Sequence, residues 1–315
     1  MFSLKRLKFK YKTQKIKMVQ IKVAKHAGFC FGVKKAIEIA EEVALKNKDK
    51  TYVYGQLVHN EKVINDLENK GIIFVDNINE IPQNAVTVLR AHGEPGTTYQ
   101  LLEKKSISKG KNLNDATCPL VTLVHNVAIK LKNNGYEVII FGKHDHPESI
   151  GTSYHLKGND TFIVEHEDDY EKVIEHLKKN DFRKAALISQ TTMSVYGYAK
   201  LIENINKKFD GKFAEIPLQM KNMEVKYGFV DTICNPTKQR QSDTEDIAKE
   251  SDVVIVIGGK NSSNSKSSMQ NARSLESSHI SFNSPSNSRR DGFWARKGLA
   301  LLLEHQLLTI SLMKW

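Results

Sequence analysis

The residues most able to do chemistry are three cysteines, Cys30, Cys118 and Cys234. Each stands in a short loop between a strand-like run and a helix-like run. The loops read Gly28-Phe29-Cys30-Phe31-Gly32, Asp115-Ala116-Thr117-Cys118-Pro119 and Asp231-Thr232-Ile233-Cys234-Asn235-Pro236. Structural cysteines ordinarily lie inside apolar elements, as small hydrophobes. Three thiols at equivalent loop positions point instead to convergence on one centre. Soft thiolates select zinc or iron–sulfur. Structural zinc takes four ligands in close pairs, and the sequence has no Cys-x-x-Cys. Three dispersed cysteines suit a cluster that leaves one iron without a protein ligand, although iron–sulfur clusters commonly take four. That open iron is a place to do chemistry.

Other polar residues gather where strand-like runs end. His146-Pro147-Glu148 follows an apolar run, and Glu148 there is a candidate proton relay to a substrate at the open iron. Read alone, His-Pro-Glu is simply a turn. His59 in Val58-His59-Asn60 and His92 in Ala91-His92-Gly93 hold similar positions. Lone loop histidines are usually only solvated, but several at strand ends suit a small anionic group. Ser262, Ser263 and Asn264 follow a strand and two glycines. They offer hydroxyls, an amide and backbone N–H groups to phosphate oxygens, or form a flexible Ser/Asn-rich loop.

The elements that must position these residues follow from periodicity. Strands are expected at Ile21–Lys25, Thr51–Gly55, Ile72–Val75, Val86–Leu89, Val138–Phe141, Ala185–Ser189 and Asp252–Ile257. Val33, Ala36, Ile37, Ala40, Val43 and Ala44 repeat at helical spacing. A helix from Pro119 to about Asn133 opens on a proline at a natural first position, and a polar helix is expected near Thr244–Glu250. Apolar strands alternating with helices mean α/β units with mostly parallel sheets. Polar motifs at C-terminal strand ends match where such sheets bind ligands. The expected architecture is three related α/β subdomains around a shared centre.

Composition narrows the function classes. The chain is 40% hydrophobic and 26% charged, as globular proteins are, and no apolar run reaches membrane-spanning length. An odd cysteine count fits a reducing compartment, which we read as cytoplasmic. The net charge is +11, but residues 1–17 hold seven Lys/Arg and no acid, and residues 266–315 hold seven against three. The body between is therefore neutral (11 − 7 − 4 = 0). A neutral body does not suit a nucleic-acid partner. The acid-free stretch 1–17 reads as a basic extension before Met18 as the true initiator, a transit peptide being the other reading.

Taken in order, the motifs resemble one family. The Cys30 loop, Val58-His59-Asn60, Ala91-His92-Gly93, Asp115-Ala116-Thr117-Cys118-Pro119-Leu120-Val121-Thr122, His146-Pro147-Glu148, Gln190-Thr191-Thr192, the Cys234 loop and Asn261-Ser262-Ser263-Asn264-Ser265 are together similar to the 4-hydroxy-3-methylbut-2-enyl diphosphate reductases. These act last in the non-mevalonate isoprenoid pathway. The resemblance covers about 18–265. It implies a 4Fe–4S cluster on Cys30, Cys118 and Cys234, with the substrate C4 hydroxyl at the fourth iron. Two electrons and protons would remove that hydroxyl as water, leaving isopentenyl and dimethylallyl diphosphates. It implies Glu148 as proton donor, helped by Thr191. His59, His92, His146, Ser262, Ser263 and Asn264, with Thr191, would hold the substrate, and ferredoxin or flavodoxin would supply electrons. A non-redox iron–sulfur hydro-lyase and a zinc-stabilised basic binding protein are the competing readings.

Subdomains are expected at 18–117, 118–215 and 216–265, with 266–315 as a disordered tail. After Lys266 the resemblance ends, where the family continues to a Thr-Ala-Gly-Ala-Ser segment whose serine binds diphosphate. Reading Leu299–Trp315 one base over, with permitted synonymous codons, yields Gly-Ile-Thr-Ala-Gly-Ala-Ser-Thr-Pro-Asp-Tyr-Leu-Ile-Asp-Glu-Val. Asp291-Gly292 likewise yields a tryptophan where the family often has one. We therefore expect a frameshifted tail without a packed core, a third subdomain that cannot complete its sheet, and a poorly active or unstable chain.

Overall fold

The computed structural model describes residues 21–47, 50–181, 184–210, 212–219, 225–251, 253–259, 261–274, 278–282 and 299–303. The extension 1–17, Met18 and most of the tail lie outside them.

The described strands form three parallel sheets. In the first, β2 (Thr51–Tyr54) lies between β3 (Ile72–Val75) and β4 (Val86–Leu89), and β4 pairs with β5 (Leu113–Asp115). In the second, β6 (Glu137–Phe141) lies between β7 (Ile163–Val164) and β8 (Ala185–Ser189). β10 (Tyr227–Phe229) continues that sheet beside β8 and carries β9 (Ala214–Glu215). The third has the order β1 (Ile21–Val23), β13 (Leu299–Leu303), β11 (Val253–Ile257), β12 (Ser278–Phe282). Thus β1 joins the third sheet although it is the first described strand, and β10 belongs to the second. Both assignments depend on long-range pairing that periodicity does not reveal.

Helices cover these sheets with apolar faces. In α1 (Phe31–Lys46), Ala36, Ala40 and Val43 pack on Val53 and Val88 of the first sheet. α2 (Glu61–Glu68) adds Val63 and Leu67 to the same core. α3 (Gly96–Lys104) buries Leu102 against the far side. In α4 (Pro119–Asn133), Val124, Val127, Ala128 and Leu131 pack on Val138 and Ile140 of the second. α5 (Pro147–Tyr154) follows β6, while α6 (Tyr170–Lys179) and α7 (Val195–Lys208) fill the other face around Phe141 and Leu187. α8 (Asn235–Glu250) and α9 (Ser263–Ser274) supply Ile247, Ala248 and Ala272 to the core of the third. Parallel strands buried on both faces read as continuous apolar runs, as Glu137–Phe141 and Ala185–Ser189 do except at their ends.

The tail corrects one expectation. The third sheet is not left unfinished at Ile257, because β11 has parallel neighbours on both sides. Ile255 is in register with Ile280 of β12 and Leu301 of β13. Leu299-Ala-Leu-Leu-Leu is the continuous apolar run that an interior parallel strand requires. α9 likewise runs on through Lys266 to Ser274.

Candidate active site

The three cysteines meet in geometry as well as in context. Cys30, Cys118 and Cys234 are the N-cap residues of α1, α4 and α8, and none uses its side chain as a cap. Proline occupies the first turn of α4 and α8, where its missing N–H costs nothing. Three positive helix ends therefore face three sulfurs, which favours thiolates. Glycine makes the close approach possible. A Cβ on Gly32 would stand 2.3 Å from Cys118 Sγ, so the Cys30 loop fits against the Cys118 sulfur only without a side chain there. Burial pushes the Cys118 and Cys234 thiols up, so a metal bound here must displace protons.

One cavity contains all three cysteines together with His59, His92, His146, Glu148, Thr191, Ser262, Ser263 and Asn264. Every residue singled out from the sequence for catalysis, binding or ligation lines it.

Glu148 is 2% exposed and lies in the first turn of α5. Its Oε1 accepts the Thr191 N–H at 2.6 Å, and its Oε2 accepts the Thr191 hydroxyl at 2.7 Å. Burial pushes the carboxyl up to about 7, against the two Thr191 bonds that favour its charge. A carboxyl near neutrality is suited to giving up a proton there.

The three histidines form a cradle on the cavity wall. Ring centroids are 4.2 Å apart for His59 and His92, 5.7 Å for His59 and His146, and 5.5 Å for His92 and His146. His146 caps α5, its Nδ1 accepting the Glu148 N–H at 3.2 Å. That bond assigns its proton to Nε2. His92 Nδ1 is buried without a partner among the described residues. Burial, then the neighbouring charges of Arg90 and Lys266, bring His59 down to about 4. Burial and the surrounding His59, Lys143, Arg90 and Lys266 bring His146 to about 3, and His92 also lies well below its usual value, burial first. Three imidazoles this close can ligate a metal ion in principle. The positive charges around them oppose a cation and favour an anion.

The third sheet closes the cavity. A Cβ on Gly259 would stand 1.9 Å from the His59 carbonyl oxygen, so the loop after β11 lies directly on the first subdomain. Ser262 Oγ accepts the Ser265 N–H at 3.3 Å at the start of α9. Asn264 Oδ1 accepts the Thr237 hydroxyl at 3.0 Å, and that hydroxyl is 3.2 Å from Cys234 Sγ. Thr237 thus couples a cysteine to the Ser/Asn loop. Sequence reasoning missed it, and the polar run from Asn235 was expected to become helical only near Thr244. α8 in fact starts beside Cys234, a start marked by Asn235-Pro236. Arg240, also on the cavity wall, carried no sequence signal beyond its place in that run.

The residues fit an iron–sulfur cluster by donor chemistry: three cysteine sulfurs at three helix ends line one cavity, and His92 Nδ1 and Arg240 Nε on its wall have no partner among the described residues. The LytB protein family profile matches residues 21–292, so the similarity continues past Lys266, where the motifs alone had ended it. The 4-hydroxy-3-methylbut-2-enyl diphosphate reductase of Clostridioides difficile (strain 630) is 35% identical over 251 residues, covering 79% of this chain and 80% of that protein. The enzyme of the same name from Chlorobium phaeovibrioides (strain DSM 265 / 1930) is 38% identical over 247 residues, 76% of each. A solved structure of the E-1-hydroxy-2-methyl-but-2-enyl-4-diphosphate reductase from Plasmodium falciparum superimposes with a TM-score of 0.76 at 26% identity, over 90% of this chain and 83% of that one. A second, of (E)-4-hydroxy-3-methyl-but-2-enyl diphosphate reductase, the terminal enzyme of the non-mevalonate pathway, gives 0.58 at 30% identity, over 91% and 94%. With cavity, motifs and chain-wide similarity in agreement, this chain belongs to the LytB family.

Proposed function

We propose that this protein reduces 4-hydroxy-3-methylbut-2-enyl diphosphate, removing its hydroxyl as water with two electrons and two protons. The products are isopentenyl and dimethylallyl diphosphates. The observation that carries this is the single cavity joining three helix-capping cysteines, a buried Glu148–Thr191 pair and a three-histidine cradle.

Cys30, Cys118 and Cys234 would hold a 4Fe–4S cluster, which when bound supplies electrons and a Lewis-acidic iron. The chain's own residues do the rest. Neutral His146 offers its Nε2–H to a phosphate oxygen, and His59 and His92 complete the cradle. Ser262, Ser263 and Asn264 offer hydroxyls and an amide at the start of α9. An anchored diphosphate holds the reacting carbon in one place, which replaces a search by a fixed geometry. Protonated Glu148 delivers a proton to the departing hydroxyl, and Thr191 holds that carboxyl in orientation. The electrons come from a small carrier protein such as ferredoxin or flavodoxin. Among the described residues no helix is long and apolar enough to cross a membrane, and we read the enzyme as cytoplasmic.

Metal analysis after anaerobic purification tests the cluster. Brown protein with about four irons per chain supports the proposal. Colourless protein containing zinc contradicts it.

A further inference from the structure

Arg240 is a buried cation that no carboxylate of the described chain neutralises. It is 8% exposed and lines the cysteine cavity. Its Nη2 donates to the Gly28 carbonyl at 2.8 Å, while its Nε is buried without a partner among the described residues. The nearest acid along its own helix, Asp243, is taken by His26, accepting from its backbone N–H at 2.6 Å and lying 3.1 Å from its ring. Arginine stays charged at any physiological pH, and a buried charge is costly unless an opposite charge meets it. Among the described residues no acid pairs with this one.

Its position indicates what compensates it. Arg240 lies on the helix capped by Cys234 and reaches the loop two residues before Cys30. It therefore bridges two of the three cysteine loops. Neutral thiols give it no counter-charge, but three thiolates outweigh the positive charge of an oxidised 4Fe–4S core and leave the centre net negative, and each electron taken up adds one more negative charge. We propose that Arg240 is the built-in counter-charge of the three-cysteine centre, favouring cluster assembly and making its reduction easier. This rests on the iron–sulfur reading above. It assigns Arg240 a positioning and electrostatic role distinct from that of the diphosphate cradle.

The test uses the full chain, purified anaerobically as wild type, R240K, R240Q and R240M. Iron per chain, the midpoint potential from an EPR-monitored titration, and the affinity for inorganic pyrophosphate are measured. R240K should keep a potential close to wild type. R240Q and R240M should shift to more negative potentials, or fail to load iron where R240K loads it. Pyrophosphate affinity should stay within about twofold of wild type in the variants that load iron. Wild-type potential in iron-loaded R240Q and R240M would overturn the inference. So would a shift in R240K as large as in R240M, or loss of iron from all three, since either makes geometry rather than charge decisive. A loss of pyrophosphate affinity of about tenfold in R240Q would move Arg240 to the substrate site and also overturn it. A wild-type chain that takes up no iron would remove the cluster reading first, and the inference with it.

Discussion

Glu148 and Thr191 are bonded twice, the carboxylate accepting both the backbone N–H and the hydroxyl of the threonine. One carboxyl of the cavity is thereby held in a single orientation with its proton affinity near neutrality. If it is the proton donor, E148Q should lower turnover by about 10²–10⁴-fold while iron content stays at the wild-type level. Loss of iron together with activity would mean that Glu148 supports the fold instead.

The same pair sets a pH dependence. The donor form of Glu148 is the protonated one, so turnover should fall as pH rises through about 7. The Thr191 bonds lower the carboxyl's proton affinity, and T191V removes one of them. Its alkaline limb should move to higher pH, with reduced turnover. An unshifted limb would assign the titration to another group.

The histidine cradle makes a separate claim about stability. In the folded protein His59 and His146 lie near 4 and 3, below the unfolded value of about 6.5. The unfolded chain therefore binds more protons between these limits. Stability present above about pH 6.5 is lost as pH falls toward 4. Urea denaturation at pH 7 and 4.5 should show this loss reduced by about 2 kcal/mol in H146N. An equal loss in both proteins would mean that His146 does not stay neutral.

Close approach at Gly32 predicts a fourth outcome. G32A places a methyl 2.3 Å from Cys118 Sγ, and overpacking of this kind costs about 1–3 kcal/mol. Iron per chain should fall sharply in G32A, as read by metal analysis. An alanine variant with full iron would show that the two cysteine loops can separate without loss of the site.

Much of this site was legible because its signals are local. Ile72–Val75, Val86–Leu89, Ala185–Ser189 and the helix Pro119–Asn133 have the bounds that periodicity implies, and strand-end placement singled out Glu148 and the three histidines. Thr237 and Arg240 were not legible. They sit in a helix too polar for its period to show, and their importance comes from partners far along the chain, Asn264 and Gly28. β12 and β13 were missed for a different reason. Departure from family motifs suggested a structureless tail, yet a run such as Leu299–Leu303 forms a strand whatever reading frame produced it.

The frameshift itself remains our proposal. Strands in the tail rebuild a sheet but do not supply the serine of the displaced Thr-Ala-Gly-Ala-Ser segment. Sequencing the gene across codons 266–315 should show that segment one base over. A frame-restored protein should turn over faster than this chain. Codons 299–315 that do not encode it in the neighbouring frame would end the proposal, and equal turnover would show that the lost segment is dispensable.

The most direct test of the central claim is product analysis with electron counting. Anaerobically purified protein, given 4-hydroxy-3-methylbut-2-enyl diphosphate and reduced methyl viologen, should form isopentenyl and dimethylallyl diphosphates. Two electrons should be consumed per product, as the proposed removal of the hydroxyl as water requires. Loss of water without oxidation of viologen would instead mark a hydro-lyase and contradict the account.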